Sequence, residues 1–137
     1  MSEMTVEATV ENMDAVVDFV NENLEQLGCN MKAQVQIDIA IDELFGNIVR
    51  YAYNPDVGSA TVQIEPDGED SACVIITFMD HGVPYNPLER PDPDVTLSAE
   101  ERTEGGLGIY LVKKSMDGVE YDYKDGQNLL RVKKRIQ

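Results

Sequence analysis

An α+β fold is predicted for this chain: a two-layer sandwich in which one mixed, mostly antiparallel sheet carries its helices on one face. Three observations predict it. Two apolar stripes at helical spacing follow one another between Val16 and Ala52. Segments that alternate or are rich in β-branched residues lie on either side of them. Turn residues at Pro66-Asp67-Gly68-Glu69-Asp70 and at Asp125-Gly126 join strands into hairpins. The order that results is β-α-α-β-β-loop-α-β-β.

Taken in order, Glu3 to Val10 alternates weakly and reads as an edge strand with Met4, Val6, Ala8 and Val10 on one face. Asn12 or Asp14 can cap a helix running to about Leu27, whose stripe is Val16, Val17, Val20, Leu24 and Leu27. Gly28-Cys29-Asn30 ends it. A second helix spans roughly Met31 to Tyr53, stopped by Asn54-Pro55. Ile37, Ile41, Leu44, Ile48 and Ala52 form its core stripe. Ser59 to Glu65 alternates as a strand. Ala72 to Met79 is more continuously apolar and reads as a central strand. Tyr85 to Glu104 carries three prolines and several acids with little periodicity. A loop of that length inside a compact domain is usually functional or disordered. Gly108 to Met116 reads as helix, and Val119 to Tyr123 with Leu129 to Ile136 as a closing hairpin.

A chain of 137 residues suits one domain, and 42% hydrophobic with 27% charged residues is ordinary for a globular protein. The net charge of −15 is not ordinary. It repels polyanions, so no nucleic-acid partner is expected. It serves solubility, or it forms an acidic face for a basic protein. Met1 to Glu11 has neither a basic nor an apolar leader pattern, and the apolar run around Cys73 to Met79 is too short to span a bilayer. No membrane association and a cytoplasmic location are expected. Cys29 and Cys73 lack metal-ligand spacing and read as reduced thiols. His81 is the single histidine, so a histidine-rich metal site is excluded.

Three stretches carry chemistry. On the second helix Glu43, Asn47 and Arg50 stand at i, i+4 and i+7, on the rim of the apolar stripe. Asn47 can offer an amide oxygen to Mg²⁺, Glu43 can accept a hydroxyl proton, and Arg50 can meet a phosphate. The same residues also read as a surface ion pair between Glu43 and Arg50 with a solvated Asn47. Asp80-His81-Gly82-Val83-Pro84 is the second stretch. Asp80 at a strand end can accept a hydrogen bond from an exocyclic amino group, and Gly82 lets a flat ring approach the backbone. It also reads as a polar turn. Gly105-Gly106-Leu107-Gly108 is the third, a glycine-rich turn entering a helix. Backbone N–H groups there suit phosphate, and a flexible hinge has the same composition.

Together the three stretches resemble the GHKL ATPase superfamily, the Bergerat fold of gyrase-type ATPases, Hsp90 chaperones and histidine kinases. Asn47 matches the Mg²⁺-binding asparagine of the N-box, Glu43 the acid before it and Arg50 the basic residue after it. Asp80 and Gly82 match the D-x-G box, and Gly106 and Gly108 the G-x-G box, extended by Gly105. Asp42 to Tyr53, Glu104 to Val112 and Met116-Asp117 are similar to the anti-sigma factor serine/threonine kinase branch.

That resemblance implies ATP with Mg²⁺ on Asn47, an ATP site of Asn47, Arg50, Asp80, Gly82, Gly105, Gly106, Leu107 and Gly108, and Glu43 as catalytic base. It implies one ATP-binding domain over residues 1–137 with a lid at 85–104. Its partners would be a protein substrate akin to an anti-sigma antagonist and, in addition, a sigma factor. The exposed first strand could pair two copies as a homodimer. A non-catalytic ATP-dependent switch and a nucleotide-free interaction module are the alternatives. Two positions depart from the pattern. Gly126-Gln127-Asn128 stands where many relatives have threonine, and Glu104 with Arg102 upstream stands where some have arginine.

Overall fold

The computed structural model describes residues 1–89 and 107–137. Five strands form one sheet: β1 (Ser2–Glu7), β2 (Ser59–Pro66), β3 (Cys73–Asp80), β4 (Gly118–Lys124) and β5 (Gln127–Arg135). Their spatial order is β1-β2-β3-β5-β4, and every pairing is antiparallel. Three helices pack on it: α1 (Met13–Gln26), α2 (Met31–Asn47) and α3 (Leu107–Ser115).

Alternation decides which face is covered. Ala60, Val62 and Ile64 of β2 are buried, as are Val74, Ile76 and Phe78 of β3 and Leu130 and Val132 of β5. Against them lie Val16, Val20 and Leu24 of α1, Ile37, Ile41, Leu44 and Phe45 of α2, and Ile109 and Val112 of α3. These stripes recur every three or four residues, so each helix turns one apolar side to the sheet. The core stripe expected for the second helix is buried at every position, Ile48 and Ala52 included. The strand expected to be central, β3, lies third of five.

Short polar contacts fix the joints. The Asn30 side chain accepts from Ala33 N at 2.8 Å, capping α2, and donates to the Ile136 carbonyl at 2.9 Å. Asp125 and Gly126 both have positive φ, 54° and 76°. Two such residues make the tight turn whose twist matches a hairpin.

Two expectations are corrected. The first strand ends at Glu7, not Val10. Thr9 N and Asn12 Nδ2 both donate to the Glu7 carbonyl, at 2.9 Å each, and turn the chain into a 3₁₀ segment at Val10–Asn12. Val10 is left 72% exposed. Asn12 occupies the cap position of α1 without a side-chain capping bond; its backbone is already helical there, at φ −90° and ψ −1°, and its Nδ2 is turned back to Glu7. The second helix is α-helical only to Asn47; a π-helical turn, Ile48–Ala52, carries it onward.

Candidate functional site

The end of α2, the end of β3, the start of β5 and the first turn of α3 meet at one edge of the sandwich. Glu43, Asn47 and Arg50 lie along one line of the helix and are linked by side-chain bonds. Asn47 Nδ2 donates to Glu43 Oε1 at 3.4 Å, and Arg50 Nη2 donates to Asn47 Oδ1 at 2.9 Å. The amide therefore stands between the acid and the base, with its N–H side toward the carboxylate. Asn47 is only 7% exposed, whereas Arg50 is exposed. The π-turn follows at once; such turns are frequent at functional sites. The Ala52 carbonyl at its end accepts from Val83 N at 3.0 Å, which ties this helix to the turn after β3.

Asp80 closes β3 and is 6% exposed. Its Oδ1 accepts from Gly82 N at 2.8 Å and from Asn128 Nδ2 at 2.9 Å. Both bonds fall on one oxygen, which leaves Oδ2 to receive a donor from outside the fold. Gly82 is packed so closely that a Cβ there would lie 2.2 Å from the Ala52 carbonyl oxygen. No side chain fits against that backbone group.

Gly108 brings the third stretch to the first. A Cβ on it would lie 2.1 Å from Glu43 Oε2 and 2.3 Å from Glu43 Cδ. The carboxylate rests directly on the glycine at the start of α3. Gly105 and Gly106 lie outside the described residues, as do Arg102 and the stretch 90–104 of the expected lid; Leu107 opens α3.

Between Asn47 and Asp80 lies a narrow hollow, open to solvent, with a cavity volume of about 40 Å³. Leu44, Ile48, Phe78 and Leu130 give it apolar walls, and Asn47, Asp80 and Asn128 are its polar members. An apolar cleft with a few convergent polar groups is the usual form of a small-molecule site.

The sequence profile described as histidine kinase-like ATPase domain matches residues 6–134. The chain belongs to this family. It is 34% identical over 99 residues to the serine-protein kinase RsbW of Bacillus cereus, an alignment covering 69% of this chain and 60% of that protein. The RsbW of Bacillus mycoides is 33% identical over 99 residues, with the same coverage. This chain thus spans about 60% of the length of the curated relatives it matches. Among solved structures, the RsbU and RsbW domains of Rv1364c from Mycobacterium tuberculosis superpose with a TM-score of 0.62 at 16% identity. That match covers 99% of this chain and 33% of the other, and it supports the α+β fold.

In this histidine kinase-like ATPase domain, Asn128 is the residue that motif reading left unassigned. It is register partner to Asp80 across β3 and β5 and is 6% exposed. Its Nδ2 donates to Asp80 and to the Val83 carbonyl, 2.9 Å each. Its Oδ1 accepts from Tyr85 N at 3.1 Å and from the Tyr121 hydroxyl. Burial, opposed in part by the backbone N–H of Tyr85, raises the Tyr121 hydroxyl pKa and keeps it a donor. Tyr53 is a second such strut. Its hydroxyl donates to the Ser59 carbonyl at 2.6 Å and accepts from His81 N at 2.8 Å. Burial raises its pKa as well. No periodicity distinguishes either residue in the sequence; Asn128 is placed by cross-strand register and Tyr53 by its position just after the π-helical turn.

His81 itself is exposed, and its ring meets Gln127 Nε2 at 3.3 Å, away from the hollow's lining. Cys29 and Cys73 are free, with pKa values raised first by burial, so both are held as protonated thiols. Among the described residues no three His, Cys, Asp or Glu cluster as a metal cage, and no helix is long and apolar enough to cross a membrane.

The donor set fits Mg²⁺. That ion is usually held by one or two protein oxygens together with water and substrate phosphates. Asn47 Oδ1 is such an oxygen, and it already faces a cationic group, the Arg50 guanidinium.

Proposed function

We propose that this chain binds ATP in the hollow between Asn47 and Asp80 and transfers its γ-phosphoryl group to a serine or threonine of a partner protein. One observation carries the reading: the contact of Gly108 with the Glu43 carboxylate, which sets the acid of α2 against the glycine-rich entry of α3. An acid at that junction is not needed to hold a metal. It stands where phosphates would meet the helix N-terminus.

The chemistry follows from the side chains. Asp80 Oδ2 accepts a hydrogen bond from the adenine amino group, while Gly82, packed on the Ala52 carbonyl and donating its N–H to Asp80 Oδ1, fixes the turn that carries that carboxylate. The N–H groups of the Gly105-Gly106-Leu107-Gly108 turn hold phosphate oxygens, and Arg50 adds a charge-assisted bond. Mg²⁺, held through Asn47, neutralises phosphate charge when bound. Glu43 takes the proton of the attacking hydroxyl as that oxygen bonds to the γ-phosphorus and ADP leaves with the bridging oxygen. The 85–104 stretch acts as the lid.

The resemblance to RsbW proteins supports a partner akin to an anti-sigma antagonist as the phosphoacceptor and a sigma factor as the sequestered regulator. A surface of net charge −15 suits a basic partner of that kind. A cytoplasmic location and a homodimer belong to the same reading.

The test is incubation with γ-labelled ATP, Mg²⁺ and a candidate phosphoacceptor. Label should pass to the partner, and Glu43→Ala should slow transfer about 10²–10⁴-fold with nucleotide binding kept. Transfer at the unaltered rate in Glu43→Ala would remove that residue from the role of base. Nucleotide binding with no transfer to any partner would leave an ATP-dependent switch.

A further inference from the structure

Arg50 has two places to be. In the structure its guanidinium is folded back along the helix onto Asn47 Oδ1, at 2.9 Å. The amide cannot turn away, because its Nδ2 faces the Glu43 carboxylate and the residue is more than nine-tenths buried. Swapping its oxygen and nitrogen would set N–H against N–H at Arg50 and oxygen against oxygen at Glu43, so the orientation is dictated by both neighbours. The folded-back guanidinium lies over Gly46. A Cβ there would lie 3.2 Å from Arg50 Nη1, tight enough to push the guanidinium back by a few tenths of an ångström, and 3.6 Å from Nη2, an ordinary contact. The guanidinium stands 5.7 Å from the centroid of the Tyr51 ring, and Tyr51 lines the hollow. Arg50 is itself exposed, so nothing packed around it bars a swing outward.

We propose that Arg50 is a resident counter-cation of the site: with no nucleotide bound it occupies the Asn47 oxygen that Mg²⁺ requires, and it is displaced from there toward the phosphates when metal and nucleotide arrive together. This rests on the nucleotide reading given above. The physical argument is competition. One amide oxygen can face one cation at short range, and a guanidinium and a hard divalent ion exclude each other there. Binding of metal then carries the cost of breaking a charge-assisted hydrogen bond. Arg50 thereby sets the Mg²⁺ concentration at which the site fills and couples metal entry to the presence of a phosphate that can receive the guanidinium.

The experiment is calorimetric titration with ADP at graded Mg²⁺ concentrations, on the wild-type chain, Arg50→Gln and Gly46→Ala. ADP excludes phosphoryl transfer from the readout. Removal of the competitor in Arg50→Gln should lower the half-saturating Mg²⁺ concentration about threefold or more, while affinity for ADP in EDTA falls or stays level. Gly46→Ala keeps the charge and crowds the guanidinium, and should shift the Mg²⁺ midpoint the same way. In ¹⁵N spectra of the wild-type chain, the Asn47 side-chain amide and the Arg50 Nε–H should move with ADP plus Mg²⁺ well beyond their response to ADP in EDTA. A Mg²⁺ midpoint in Arg50→Gln equal to or above that of the wild type, with ADP still bound, overturns the inference and leaves the nucleotide site standing. No ADP binding by the wild type at any Mg²⁺ concentration overturns both.

Discussion

Gly108→Ala separates the position of the Glu43 carboxylate from the stability of the fold. The added methyl would arrive 2.1 Å from Glu43 Oε2 and 2.9 Å from Oε1. Ordinary contact requires the carboxylate to retreat by about 1 Å. The obstacle is the far end of a flexible side chain on a half-buried residue, so the retreat costs little folding energy. Alanine in a helix is favoured over glycine by up to about 1 kcal/mol, which offsets that cost. The variant should therefore melt near the wild-type temperature. Its chemistry should not survive as well. A displacement of about 1 Å at a catalytic group can cost roughly 10²-fold in rate, equivalent to about 2.7 kcal/mol of barrier. The assay is single-turnover transfer of labelled phosphate to a partner, with ADP affinity and thermal unfolding measured on the same preparation. Transfer within about threefold of wild type would refute the reasoning, because the carboxylate would then be indifferent to its own position. Gly82 differs in kind: the group in its way is the Ala52 backbone carbonyl, which cannot swing aside.

Three further outcomes follow from the same geometry. Asp80→Ala should weaken adenine nucleotide binding by about ten- to a hundredfold, the loss of one charged hydrogen bond at 1.5–3 kcal/mol, read by calorimetry; unaltered affinity would show that the base is read elsewhere. Asn128→Ala should destabilise the fold by about 1–3 kcal/mol in urea unfolding, since it leaves the part-buried Tyr121 hydroxyl and Val83 carbonyl and the buried Asp80 carboxylate each short of a partner; a loss below about 0.5 kcal/mol would mean that water replaces the amide at no cost. The Lys133 ammonium, 2.8 Å away, and then the Glu69 N–H hold the Asp67 carboxyl below its usual 3.8. A lowered carboxyl pKa adds stability that is complete above the unfolded value and lost as pH falls through the folded one. Asp67→Asn should thus lie below wild type near neutrality, and the gap should close as pH drops below about 4; parallel stability curves from pH 6 to pH 2 would exclude the pair as a source of stability.

Much of the architecture was legible because burial imposes period. The α2 stripe from Ile37 to Ala52 and the alternation of Ala60, Val62 and Ile64 record directly which side of each element is dry. The order of strands is not recorded that way. Antiparallel β5 inserts between β3 and β4, and period alone does not name neighbours. Val10 was misplaced for a related reason: its apolar character continues the alternation, while Asn12 and Thr9 end the strand by capturing the Glu7 carbonyl. At the site, Glu43, Asn47 and Arg50 are visible as one helical line. Their bonds to one another, and the close passage of the guanidinium over Gly46, appear only in the folded helix. The role of Asn128 was illegible, because it arises from standing opposite Asp80 in the β3–β5 register.

The site divides into parts that are held and parts that can move, and the division follows chain chemistry. Asp80, Gly82 and Val83 are secured through backbone groups: Val83 N on the Ala52 carbonyl, His81 N on the Tyr53 hydroxyl, the Val83 carbonyl on Asn128. On the proposed nucleotide reading, a purine would meet groups already tied by hydrogen bonds, which lowers the entropy lost on binding. Among the described residues, Glu43 meets the Asn47 amide and Gly108, and Arg50 meets the Asn47 amide, Gly46 and the Tyr51 ring, each at the end of a long side chain. On the proposed reading, those are the two groups that phosphoryl transfer would reposition, one toward a hydroxyl and the other toward a developing charge. Glycine at 46 and at 108 therefore does more than permit a turn. At 108 it leaves the Glu43 carboxylate a place that a Cβ would fill, and at 46 it leaves the Arg50 guanidinium a place that a Cβ would narrow by a few tenths of an ångström.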